Sequence, residues 1–379
     1  MTTYSCAHAL TPDGLVHDVT IEVDDRLITS VTSGEPAAAG AIDLGDVTVV
    51  PGFIDMHVHG GGSHSFSEGP EAATSAARFH LGHGTTSLLA SLASAPLDEL
   101  AEQTVGLRPL VEAGVLAGLH IEGPFLNECR RGAHNPELLM DPDVEWLLEV
   151  VGNGVKMVTL APELAGGLDA IRAITDVGVV AALGHSDATY EQAVEAIDAG
   201  VRVATHLFNG MRPPHHREPG AVLALVRDPR VTVELISDGV HLHEALLESI
   251  FAAVGPSRVA LITDAISATG MPDGLHELAG SAVRVTDGVA ELADGSSLAG
   301  STLTMDAAVR NAVGAGVSFT DAITAATSNP ARTLGLDDRG SLAVGLRADL
   351  VALNPDLQIA AVMQAGNLVD HVSESQVTS

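Results

Sequence analysis

Two histidines one residue apart close the stretch VVPGFIDMHVH (49–59). In an extended strand, positions i and i+2 point to the same face, so His57 and His59 project together from one strand end. Two imidazoles converging there can grip a metal ion, or they can be an ordinary polar terminus. The other strand ends bear on the choice. Glu122 follows VLAGLHI, His185 follows VVAALG, His206 follows RVAT, Asp238 follows VTVELIS and Asp264 follows VALIT. Each sits just after an apolar run. A lone histidine so placed reads as a hydrogen-bonded strand-end residue. Imidazoles and carboxylates gathered from six strand ends are what divalent metals bind, and they predict a metal centre.

The elements that must position these residues are eight short apolar or β-branched runs, at 49–59, 85–91, 115–123, 155–163, 179–185, 202–209, 231–239 and 259–265, with helix-like stretches between them. DPDVEWLLEVVGNG (141–154) carries an Asp cap, Pro at the first helical position and a terminal Gly, and DATYEQAVEAIDAG (187–200) repeats the cap-and-glycine pattern. Eight βα units predict an α/β fold, a (β/α)8 TIM-like barrel, with its site at the carboxyl ends of the strands. The flanks alternate like strands of another kind. Residues 1–50 and 336–379 predict a small β-sandwich domain assembled from both chain ends, around a hydrolase barrel at 51–335. A hairpin about Asp287-Gly288 is expected as an insertion near 282–300.

With 379 residues, 46% of them hydrophobic, the chain can bury a large core. A formal charge of −31 argues against nucleic acid as a partner, because phosphate backbones need clustered cations. No run of about 18 apolar residues predicts a membrane span, and the N-terminus lacks a basic segment followed by an apolar one. Two cysteines, Cys6 and Cys129, make no disulfide framework and suit a reducing compartment, so a cytoplasmic protein is expected.

PGFIDMHVHG together with the later strand-end His, His and Asp resembles the amidohydrolase superfamily. HIEGPF (120–125), RRGAHN (130–135), LAPE (160–163), GHSDA (184–188), THLFNGM (205–211), SDGVH (237–241), ITDAI (262–266) and LAGSTLTM (298–305) narrow the resemblance to its N-acetylglucosamine-6-phosphate deacetylase family. The likeness runs from about residue 45 to the C-terminus. It implies hydrolysis of the acetamide of a phosphorylated N-acetyl amino sugar, in amino-sugar catabolism and cell-wall recycling.

The resemblance further implies that Glu122, His185 and His206 form the main metal site. Because His57 and His59 are both retained, a second site is expected, with Glu122 bridging and two Zn2+ per chain; Fe2+, Mn2+ or Co2+ could use the same ligands. Such a metal makes hydroxide available near neutral pH. Asp264 is assigned as general base and then general acid, besides its place among the metal residues. His134 is assigned to polarise the acetamide carbonyl. Gly123, Asn209 and Gly210 fall to the substrate side, and Arg217 and His241 are the family's phosphate partners by position. A homodimer is implied, in which Arg217 or His241 reaches the neighbouring site.

Other readings stay open at this point. An N-acetylgalactosamine-6-phosphate deacetylase differs by one hydroxyl configuration. A cyclic amidase would use a carboxylated lysine, but Lys156, the single lysine, opens its strand at the wrong end of a barrel. A non-catalytic sugar-phosphate sensor would have no need of Asp264. Cys129, in NECRRGAHN, is followed by Arg130 and Arg131, which would favour a thiolate; its segment is a candidate lid, and the plain alternative is a free thiol of no consequence.

Overall fold

The computed structural model describes residues 1–34 and 40–369. Residues 35–39 and 370–379, both within the flanks assigned to the small β domain, lie outside the described residues.

The eight runs form one parallel sheet in chain order: β1 (Phe53–Val58), β2 (Thr85–Ala93), β3 (Gly118–Glu122), β4 (Val155–Leu160), β5 (Val180–Leu183), β6 (Val201–Ala204), β7 (Thr232–Ile236) and β8 (Val259–Ile262). Their residues are almost uniformly buried, as parallel strands covered on both faces must be. The seam between the last and first strands closes at their carboxyl ends, where Asp264 N–H donates to the His57 carbonyl (2.9 Å) and His59 N–H to that of Ala265 (2.8 Å). The barrel therefore closes through three of the residues expected to bind metal.

VVPGFIDMHVH is two strands rather than one. Thr48–Pro51 pairs antiparallel with Leu350–Leu353 in a separate sheet, and β1 starts at Phe53. The hand-over falls at Gly52, where a Cβ would meet the Thr86 hydroxyl at 2.1 Å, so only glycine lets the chain pass. That second sheet joins Thr2–Thr11, Gly14–Asp24 and Leu27–Ser33 to Leu350–Leu353, Ile359–Gln364 and Asn367–Leu368. A bridge between Leu27 and Arg347 ties its free edge back toward the C-terminal strands. Tyr4, Cys6, Ile21, Val49, Leu350 and Met363 share its core, and burial pushes the Cys6 thiol up to about 11.

A three-stranded antiparallel sheet, Gly274–Leu278, Ser281–Thr286 and Val289–Leu292, follows β8. Asp287 and Gly288 both have positive φ (50° and 75°), the two-residue turn that matches strand twist.

Two helix starts differ from the expected pattern. In DPDVEWLLEV the cap is Asp143, whose carboxylate accepts from Trp146 N–H at 3.0 Å, and the helix runs Val144–Val150. Pro142 thus precedes the helix instead of opening it. In DATYEQAV the cap is Thr189, with Gln192 completing a capping box. This leaves Asp187 free to bind Arg130 (2.8 Å) and Arg212 (2.6 Å).

Candidate active site

Residues from the carboxyl ends of β3, β5, β6 and β8 converge with His59 on one cavity, and His57 of β1 lies fully buried against them. Donor atoms of His57, His59 and Asp264 lie within 4.8 Å of one another, and so do those of Glu122, His185 and His206. Glu122 joins the two groups. Its Oε1 lies 3.1 Å from Nε2 of both His185 and His206, and its Oε2 lies 3.1 Å from His59 Nε2 and 3.5 Å from His57 Nε2. Asp264 Oδ1 faces His59 at 3.3 Å and His57 at 3.5 Å.

The donor set suits divalent cations. His57 Nδ1 faces a Glu234 carboxylate oxygen (3.2 Å), His185 Nδ1 the Arg130 carbonyl (2.9 Å) and His206 Nδ1 the Asn209 carbonyl (3.2 Å). Each partner is an acceptor, so these Nδ1 atoms carry the protons and each Nε2 turns a lone pair inward. Yet His57 and His59 Nε2 are 3.2 Å apart, and His185 and His206 Nε2 3.1 Å. Lone pairs and two carboxylates packed this closely call for positive charge among them. The electrostatics agree: burial opposes charge on His59, but Asp264 and Glu122 lift it to about 9.

Local backbone supports this convergence. His185, His206 and Asp264 all have positive φ (46°, 26° and 51°), a conformation non-glycine residues adopt only when their surroundings hold them. Asp264 is held from LAGST, since Ser301 N–H donates to its carbonyl (2.8 Å) and a Cβ at Gly300 would meet that oxygen at 2.7 Å. His185 packs against Gly210, where a Cβ would stand 2.8 Å from the imidazole Nδ1.

The remaining assigned residues divide. His134, Asn209, Gly210 and His241 line the cavity, of about 190 Å³, together with Leu278, Ala279 and Leu298 from the inserted sheet. His134 accepts from Ser94 N–H at Nδ1 (3.4 Å), which leaves the proton on Nε2, 3.6 Å from Glu122; burial lowers its pKa to about 4. Asp238 is not with the metal residues. Its Oδ2 binds His241 Nδ1 at 2.7 Å, three residues on. Gly123 is buried and does not line the cavity. Arg217 is exposed in the segment before the Gly220–Arg227 helix, hydrogen-bonded to His216 and outside the cavity. Cys129 is exposed, while its neighbours tie the segment to the site: Asn127 N–H donates to the His185 carbonyl (2.9 Å), and Arg130 gives the carbonyl that orients His185. The Arg130 guanidinium is turned to Asp187. Lys156 opens β4, at the far end of the barrel.

Sequence reasoning missed a layer beneath the metal residues. Glu234 within β7, His120 within β3 and Asp55 within β1 are all fully buried. His120 bridges Ser91 and Thr159 (2.9 Å each), and Thr159 continues to Thr205 (2.9 Å). Burial raises the Asp55 carboxyl to about 7 against the Thr263 hydroxyl (2.5 Å). One signal was available: an ionisable residue with apolar neighbours on both sides, as in VTVELIS, is out of place in a fully covered strand unless paired inside.

Comparison with known proteins agrees with this geometry. Residues 48–369 match the amidohydrolase family model. The chain belongs to the amidohydrolase family. An N-acetylglucosamine-6-phosphate deacetylase of Lysinibacillus sphaericus is 37% identical over 84% of this chain and 85% of its own. An N-acetylgalactosamine-6-phosphate deacetylase of Escherichia coli O157:H7 is also 37% identical, over 95% of this chain and 97% of its own. Among solved structures, a mutant N-acetyl-D-glucosamine-6-phosphate deacetylase from Mycobacterium smegmatis, in complex with N-acetyl-D-glucosamine-6-phosphate, superposes with a TM-score of 0.94 at 45% identity, over 97% of this chain and 98% of that one. No helix among the described residues of this amidohydrolase is long and apolar enough to cross a membrane.

Proposed function

We propose that this amidohydrolase removes the acetyl group of N-acetylglucosamine-6-phosphate, releasing glucosamine-6-phosphate and acetate. The observation that carries the reading is the division of the Glu122 carboxylate between two histidine groups, with Asp264 facing one of them in the same cavity. His57, His59 and Asp264 would hold one divalent cation and Glu122, His185 and His206 the other, Glu122 being shared. Zn2+ is the proposed ion, and the same imidazole and carboxylate donors accept Fe2+, Mn2+ or Co2+. Bound there, the cations supply Lewis-acid polarisation and acidify water.

The chain's own groups do the rest. Asp264 takes the proton of the attacking water and delivers it to the departing amine. His134, neutral because burial disfavours its charge, donates from Nε2 to the acetamide oxygen as negative charge builds there. Asn209, the Gly210 amide and His241 receive the sugar phosphate. Arg217 serves the cavity of a second copy, so the active form is a homodimer. The catalytic unit is the barrel at 51–335, the small β unit being 1–50 with 336–379. Two cysteines, neither in a disulfide, suit the cytoplasm.

The test is acetate release by protein of known metal content. Substrates are N-acetylglucosamine-6-phosphate, its galacto epimer, the unphosphorylated sugar and dihydroorotate. Metal-dependent release from the gluco phosphate, faster than from its epimer, with about two cations per chain, is expected. Faster turnover of the galacto epimer would reassign the sugar, and metal-loaded protein inert toward all four would refute the deacetylase reading.

A further inference from the structure

Glu234 sits in the interior of β7 with no exposed surface. A carboxylate in a dry interior costs stability unless it is paired. Its Oε2 accepts two hydrogen bonds, from His57 Nδ1 at 3.2 Å and from the His206 backbone N–H at 3.1 Å. The Glu234 carbonyl accepts the next amide, Leu207 N–H, at 2.9 Å. Oε1 is buried and has no partner among the described residues, so the charge is committed to Oε2 and its two donors.

Those donors belong to different metal groups. One carboxylate oxygen therefore spans both, in two unlike ways. At His57 it meets the imidazole itself, fixing the proton on Nδ1 and enriching Nε2 as a ligand. At His206 it meets only the main chain, bracing a non-glycine residue held at φ 26°, while the ring is oriented separately by the Asn209 carbonyl at 3.2 Å.

We propose that Glu234 is a positioning residue of the metal centre, and that the cation at His57, His59 and Asp264 depends on its charge far more than the cation at Glu122, His185 and His206. This rests on reading both groups as metal sites. E234Q is the discriminating variant: the amide oxygen can still accept both hydrogen bonds, but the charge is gone.

The measurement is Zn2+ affinity by competition with a chromophoric chelator, on the whole protein. Wild type is expected to bind two ions. E234Q should bind one of them about 10- to 100-fold more weakly and leave the other unchanged. In a His59→Ala background, which retains only the Glu122 group, E234Q should leave the remaining affinity unaltered. A general folding defect would instead weaken both sites together. If E234Q is insoluble, E234D, which keeps the charge but draws it one methylene away from His57, should weaken the same ion by less than about tenfold and leave the other unchanged. Unchanged affinities at both sites, or equal losses at both, overturn the proposal. A wild-type chain that binds no metal overturns the metal reading itself, and this inference with it.

Discussion

Asp238→Asn tests how the cavity recognises phosphate, through a residue that touches no metal group. His241 lines the cavity and is bonded through Nδ1 to Asp238 Oδ2 at 2.7 Å, with side chains only 6% and 15% exposed. Burial disfavours the imidazolium, but Asp238, with help from Asp264, raises the His241 pKa above its ordinary value. His241 is charged below that raised pKa, so KM for a phosphorylated sugar should be low there and rise as pH climbs through it. In the variant, Asn Oδ1 can still accept from the Val240 and His241 amides (2.9 and 2.8 Å in wild type), so the turn is retained. Its amide nitrogen, however, presents a donor where the carboxylate was. His241 Nδ1 must then accept, the ring is neutral, and the rise in KM moves to lower pH. A hydrogen bond to a charged group contributes about 1.5–3 kcal/mol. At tenfold per 1.4 kcal/mol, KM at neutral pH should increase roughly 10- to 100-fold. The assay is acetate release against substrate concentration above pH 7, where the sugar phosphate is essentially dianionic, with unphosphorylated N-acetylglucosamine alongside. An unchanged KM for the phosphate, or an equal rise for both sugars, would remove His241 from phosphate recognition.

Three further outcomes are expected. Asp264→Asn should retain the cation at Glu122, His185 and His206 and lower kcat by about 100- to 10,000-fold, the range for a lost general base; full turnover in a metal-analysed preparation would end that assignment. Arg217→Ala should chiefly raise KM for the phosphorylated sugar and spare the unphosphorylated one, and parallel effects on both would place Arg217 outside the phosphate site. Alkylation of Cys129 should slow turnover, because Asn127 and Arg130 on either side of it hold the backbone and ring of His185. If kcat and KM survive full alkylation, measured by mass spectrometry, the lid idea fails.

The residues that break an apolar run at its end were legible, and the reason is geometric. A parallel barrel strand is covered on both faces, so polarity at its carboxyl terminus has one place to go, the mouth where the βα loops gather. Five strand ends met there as the pattern required. Asp238 did not, because the SDGVH turn brings its carboxylate back onto His241 within three residues, and local hydrogen bonding claimed it. The cap at 141–154 was misplaced for a similar reason: two aspartates flank Pro142, and only Asp143 accepts the Trp146 amide.

What the sequence concealed lies one layer inward. Ser91, Thr159, Thr205 and Thr263 are residue types that strands tolerate anywhere, so nothing in their spacing marks them as a hydrogen-bonded floor. Their need becomes visible only once the rings above them are placed. A ligating imidazole has two nitrogens, and the outward one must find an acceptor in a space without water. For His185 and His206 that acceptor is a loop carbonyl, which any residue type can supply and no motif records. For His57, within β1, the acceptor is instead a side chain from another strand. Glu234 meets that requirement, which is why a charged residue interrupts VTVELIS where an apolar one would otherwise pack.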